Sequence, residues 1–149
     1  MGNICRSPTA HGVFQHHVDK AGLSDAILVD SAGTHSYHIG HSPDTRSQAA
    51  ALQRGFDLSE QRAQKLTAEL GRKFDYLIVM DDTNFHDAKS IVAAEDADKI
   101  QYLLSYSDGR EEYVPDPYYG GDSGFEHVLD LVENASNSLL ASIKENHDL

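Results

Sequence analysis

The chain has 149 residues, a formal net charge of −12 and a single cysteine, Cys5. That length suits one ordinary domain able to bury a continuous core without metals or disulfides. The charge argues against a nucleic-acid partner, because phosphate-backbone binding draws on clustered Lys and Arg, and one cysteine excludes an internal disulfide framework. No apolar run approaches the eighteen or so residues of a membrane span, and the first residues lack the order of a secretion signal. No membrane partner is therefore expected, and the expected compartment is the cytoplasm. No repeat, low-complexity tract or linker divides residues 1–149, so they are expected to form a single domain.

In chain order, Ser7-Pro8 reads as a helix cap followed by proline at the first helical position. Ala10, Val13, Phe14, Val18 and Ala21 then recur at helical spacing until Gly22. Ala26-Ile27-Leu28-Val29 reads as a short buried strand, ended by Asp30-Ser31-Ala32-Gly33. Ser42-Pro43 repeats the cap-and-proline device and predicts a helix from Pro43 to Gly55. The strongest strand signal runs from Phe74 to Met80, closed by Asp81-Asp82. A helix follows over Thr83 to Ala94, then a short strand near Ile100 to Leu104. A polar loop leads to Pro115-Asp116-Pro117, and a last helix starts near Asp122 or Ser123. It carries Phe125, Val128, Leu129, Val132, Leu139, Leu140 and Ile143 on one face. Alternation of strands and helices predicts an α/β fold with a doubly wound, mostly parallel sheet, with ligands at the carboxyl ends of its strands. Residues 1 to 6 break this alternation, because they form a loop entering a helix with no strand before it.

Gly2-Asn3-Ile4-Cys5-Arg6-Ser7-Pro8 contains the parts of an anion cradle. Gly2 and Asn3 tolerate positive φ, so backbone N–H groups can turn inward, and the following helix aims its positive dipole end at the same point. Arg6 adds a planar fork for two phosphate oxygens. The same string also suits a plain helix-capping loop with a surface arginine. In Pro115-Asp116-Pro117-Tyr118-Tyr119-Gly120 the flanking prolines stiffen the backbone. They can present the Asp116 carboxyl as an acid for a leaving phenolate, although taken alone the hexapeptide also reads as a surface turn. His35, His38 and His41 are spaced by three, but Gly33, Gly40 and Ser42 mark a loop, where that spacing defines no face, so no metal site is expected. His16 and His17 are adjacent on a helix and read as a solvated face.

Taken together, the opening GNICRSP, Asp30-Ser31-Ala32-Gly33-Thr34, Ser42-Pro43-Asp44, Phe74-Asp75-Tyr76 with Met80-Asp81, and Asp116-Pro117-Tyr118-Tyr119 stand in characteristic order and spacing. The chain thereby resembles the low-molecular-weight protein-tyrosine phosphatases over essentially its whole length. The resemblance implies aryl phosphomonoester hydrolysis through a phosphocysteine intermediate, without a cofactor. The implied substrates are a phosphotyrosine protein or a small aryl phosphate, and phosphate-like anions are implied ligands. Met1, Gly2, Asn3, Ile4, Cys5 and Arg6 would form the phosphate loop. Ser7, Ser31 and Asp81 would support it, with Asn3 in the same polar network. Asp116 would be the general acid, and Ile4, Tyr37, Tyr118 and Tyr119 would line the substrate pocket. Near Gln61 the family often places a histidine that joins the loop network, and Gln61 would replace it.

In that family the nucleophilic cysteine precedes the arginine by six positions, which here falls immediately before Met1. Cys5 matches the family's second cysteine. As a nucleophile it would need an arginine six residues on, where His11 stands inside the first helix. The expectation is an N-terminally truncated chain, with a start at an internal methionine as its simplest origin, that is catalytically silent while keeping some phosphate affinity. The resemblance also implies that a central strand is lost with the cysteine. The slot is therefore expected to be occupied by a partner chain, including self-association, or by a rearranged segment, or to collapse. Two other readings remain: a phosphate- or phosphotyrosine-binding protein without turnover, and an arsenate reductase of the same fold, which a single cysteine disfavours.

Overall fold

The first turns of the structure follow from local capping. In the computed structural model, which describes residues 6–35, 39–107, 113–115 and 122–149, helix α1 spans Arg6–Lys20. Ser7 therefore lies inside the helix rather than capping it, because the turn is already formed at Arg6. The other end is as expected. Gly22 adopts φ of +73°, and the Leu23 amide donates to the Val18 carbonyl at 3.0 Å, closing the helix with a left-handed turn.

Helix α2 (Thr45–Gln53) begins two residues later than Pro43. Asp44, not Ser42, supplies the cap: its Oδ1 accepts from the Arg46 amide at 2.8 Å and from the Ser47 amide at 3.4 Å. A short helix that the periodicity did not predict, α3 (Ala68–Lys73), is capped by Thr67 Oγ1 on the Leu70 amide. Strand β1 (Leu77–Val79) leads into α4 (Asp82–Ile91). A 3₁₀ turn then leads to β2 (Ile100–Tyr102), and a second covers Leu103–Tyr106. Both strands are shorter than predicted. β1 and β2 pair in parallel with Leu77 opposite Ile100 and Val79 opposite Tyr102, and α4 provides the crossover.

The long helix α5 (Asp122–His147) packs chiefly on α1, on α2 and on the second 3₁₀ turn. Its predicted apolar face is buried throughout, from Phe125 to Ile143, and meets Val13, Phe14 and Val18 of α1 in the main core. A smaller core joins Val79 and Ile100 to Ala88 and Val92, under α4. No helix among the described residues is long and apolar enough to cross a membrane.

The predicted strand Ala26–Val29 does not form. Residues 24–26 are a turn and 27–30 are irregular. Strands are held by ladder hydrogen bonds to a neighbour, and among the described residues β1 pairs with β2 alone. A cavity of about 600 Å³ is lined by Ile27–Val29, by Ala10 and Phe14 of α1, by Ile78 and Met80 at β1, and by Leu139 and Ile143 of α5. Leu28 stands 66% exposed at its side. Among the described residues neither the expected collapse nor the expected rearranged segment closes this cleft, and the other expected occupant, a partner chain, lies outside a single chain. The helical layer explains this, because Val13 and Val18 of α1 and Leu129 and Val132 of α5 are fully buried in the main core and do not line the cleft.

Candidate anion site at the start of helix α1

Arg6 opens α1 with a side chain only 4% exposed. Its Nη1 donates to Asp81 Oδ2 at 2.5 Å and to the Val114 carbonyl at 2.9 Å. The arginine therefore ties three distant segments: the start of α1, the end of β1, and the stretch running toward Asp116. Val114 is fully buried and held a second time, by its amide donating to the Met80 carbonyl at 2.8 Å.

Asp81 is placed by the strand-to-helix turn. As the cap of α4 it accepts the Asn84 amide at 2.8 Å through Oδ1, leaving Oδ2 for Arg6. Burial alone would push its carboxyl up, but the hydrogen bonds from Arg6 and from the Asn84 amide outweigh it and hold the group below the ordinary carboxylate range. Asp81 is therefore ionised at neutral pH, and it orients the Arg6 guanidinium from behind.

A second set of polar groups flanks the same end of α1. The Ser31 Oγ lies 3.0 Å from His11 Nδ1, and the Ser31 carbonyl accepts from Gln64 Nε2 at 2.9 Å. Gly33 forms a parallel bridge with Lys65, so the loop carrying Ser31 is fastened to residues 64–66. Gln61 reaches α1 directly, its Nε2 donating to the Pro8 carbonyl at 3.0 Å. Beyond Gly33, Thr34 Oγ1 and His35 Nε2 approach Asp87 Oδ2 of α4 at 3.5 and 3.3 Å.

Next to Val114, the Tyr113 ring lies 5.7 Å from Tyr102, which stacks on Phe85 at 5.2 Å. The hydrogen bond of Tyr102 with Asp82 holds its phenol protonated, with a pKa pushed up to about 12.

Of the residues expected to form the site, Arg6, Ser7, Ser31 and Asp81 fall within the described structure. Arg6 and Asp81 are in direct contact, while Ser7 and Ser31 line the shared cleft. Met1, Gly2, Asn3, Ile4, Cys5, Tyr37, Asp116, Tyr118 and Tyr119 lie outside the described residues, as does His38. Among the described residues no cluster of His, Cys, Asp and Glu could hold a metal. Sequence reasoning missed His11 and the Val114 carbonyl. The first looked like an ordinary helix histidine, and a backbone acceptor has no residue-type signature.

Such an arrangement can orient a guanidinium at a helix N-terminus, where the helix dipole also favours an anion. The family model for low molecular weight phosphotyrosine protein phosphatase matches residues 1–149. A low molecular weight protein-tyrosine-phosphatase of Streptomyces coelicolor is 38% identical over 148 residues, covering 97% of this chain and 90% of that protein. A crystal structure of protein tyrosine phosphatase from Entamoeba histolytica, with Hepes in the active site, superposes with a TM-score of 0.94. It shares 32% identity and covers 98% of this chain and 94% of that one. Vibrio vulnificus Wzb in complex with benzylphosphonate superposes with a TM-score of 0.84 at 26% identity, covering 95% and 93%. The chain belongs to the low molecular weight protein-tyrosine phosphatase family.

Proposed function

We propose that the start of α1 binds the phosphoryl group of phosphotyrosine or of a small aryl phosphate, as the anion site of a protein-tyrosine phosphatase. The observation that carries this reading is the buried Arg6 held by Asp81 and by the Val114 carbonyl. A guanidinium fixed on one nitrogen still has donors left to grip a tetrahedral anion, and it need not be ordered when the anion arrives.

In the full reaction of this class, a thiolate attacks phosphorus while a carboxylic acid protonates the leaving oxygen. The acid then acts as base as water hydrolyses the phosphocysteine. Asp116 is proposed for the acid. It follows Val114 by two residues, so the same arginine that would hold the anion also anchors the segment bearing the proton donor. Ser7 and Ser31 are proposed to steady the loop, with Met1, Gly2, Asn3, Ile4 and Cys5 donating backbone N–H groups. Tyr37, Tyr118 and Tyr119 would clasp the ring.

Cys5 is not proposed as the attacking sulfur, because His11 and not an arginine stands six residues after it. The proposal includes the cytoplasmic setting read from the sequence, and occupation of the open cleft by a second chain. Calorimetric titration with phosphate tests the reading. The chain should bind and Arg6→Lys should bind about tenfold more weakly; equal affinity in the two proteins would refute the role of Arg6.

A further inference from the structure

His11 lies where three segments meet, all tied to the start of α1. Its Nδ1 approaches the Ser31 hydroxyl at 3.0 Å. Ser31 cannot easily retreat, because its amide donates to Asp30 Oδ1 at 2.8 Å and its carbonyl accepts from Gln64. On another side stands Gln61, whose Nε2 is committed to the Pro8 carbonyl at 3.0 Å. The Gln61 Oε1 is buried without a hydrogen-bond partner among the described residues.

A buried acceptor left without a donor costs about 1–3 kcal/mol, so a neighbouring N–H is favoured there. A neutral imidazole carries one N–H. Directed at Gln61 from Nε2, it leaves Nδ1 as an acceptor for the Ser31 hydroxyl. Adding a proton at Nδ1 turns that O–H···N bond into N–H···O, and the Ser31 hydroxyl hydrogen is freed to point elsewhere. One proton is taken from solvent and no covalent bond other than the new N–H changes.

We infer that His11 is a positioning residue that gates Ser31: neutral, it retains the Ser31 hydroxyl hydrogen, and protonated it releases that hydrogen to a bound anion. The inference rests on the reading of the α1 start as an anion site. Burial disfavours the imidazolium and prevails over Asp30, the charged group that faces the ring, and over Gln61. Release is therefore confined to acid conditions below the ordinary histidine range.

Sulfate is the probe, because it remains a dianion over the whole range in which histidine titrates. Between about pH 7.5 and about pH 5, the full chain should bind sulfate about tenfold more tightly at the acid end. In His11→Gln this step should be absent, and in Ser31→Ala it should be largely lost although the ring still titrates. An equal step in the wild-type chain and His11→Gln would overturn the inference and leave the anion site standing. Absence of sulfate binding at either pH would instead refute the proposed function. A second readout does not depend on binding or on either variant: nitrogen NMR of the neutral wild-type chain should show His11 as the Nε2–H tautomer. The Nδ1–H tautomer would overturn the gate.

Discussion

The two sides of α1 teach different lessons about what a sequence can hold together. On one side α1 meets α5 in an interface where Val13, Val18, Leu129, Val132 and Ala135 are all fully buried. On the other, Ala10 and Phe14 border an open cleft that is lined also by an irregular segment, by a three-residue strand and by Leu139 and Ile143 near the end of α5. Helices satisfy their backbone hydrogen bonds internally and need only a face to bury, whereas a strand needs a neighbour. Among the described residues the helical side is therefore closed, and the cleft side stands open.

That contrast can be broken by substitution, beginning with the largest effect. Leu129→Ala, at 0% exposure, should cost about 4 kcal/mol in urea unfolding. Leu28→Ala, at 66% exposure, should stay within about 0.5 kcal/mol. Comparable losses would show that the cleft wall is packed as tightly as the helical layer. Arg6→Met should cost about 3 kcal/mol, because it leaves the Asp81 carboxylate and the Val114 carbonyl without their shared donor.

Adding bulk should separate the two sides by sign. Ala135→Leu forces methyl groups into a filled interface and should destabilise by about 2 kcal/mol. Ala10→Leu, pointing bulk into the 600 Å³ cavity, should stabilise by about 1 kcal/mol. A loss at Ala10 would mean that the cleft is not available to side chains.

Acid sensitivity gives the finest distinction. His11 and His17 are both held below the ordinary histidine value of 6.5, mainly by burial, so the unfolded chain takes up protons first. Stability should begin to fall as the pH drops below 6.5. Asp81 acts lower. Its folded-state carboxyl lies below the ordinary 3.8, so its contribution is intact above that value and disappears as the pH falls through the folded pKa. Unfolding followed against pH should show the first loss weakened in His11→Gln and the second removed in Asp81→Asn.

Elements with complete local signals were legible in the sequence. The apolar face of α5 is buried as its 3.6-residue spacing requires, and Gly22 ends α1 where expected. Ala26–Val29 carried an equally plain strand signal and failed, because β-propensity describes fit to a sheet and cannot supply the neighbouring strand. The caps at Ser7 and Ser42 were misplaced by one rule: Ser-Pro favours a helix start, but Asp44 offers its carboxylate to two amides at once. In the site, Arg6 and Asp81 were recognisable from residue type and order, and they meet as a salt bridge. The His11–Ser31 contact was not legible, since it depends on how a loop twenty residues away folds back onto α1.

The most direct test of the account follows the Arg6 guanidinium protons by NMR while phosphate is added. The account predicts that they shift in step with phosphate binding measured by calorimetry. Phosphate bound with those protons unmoved would contradict it.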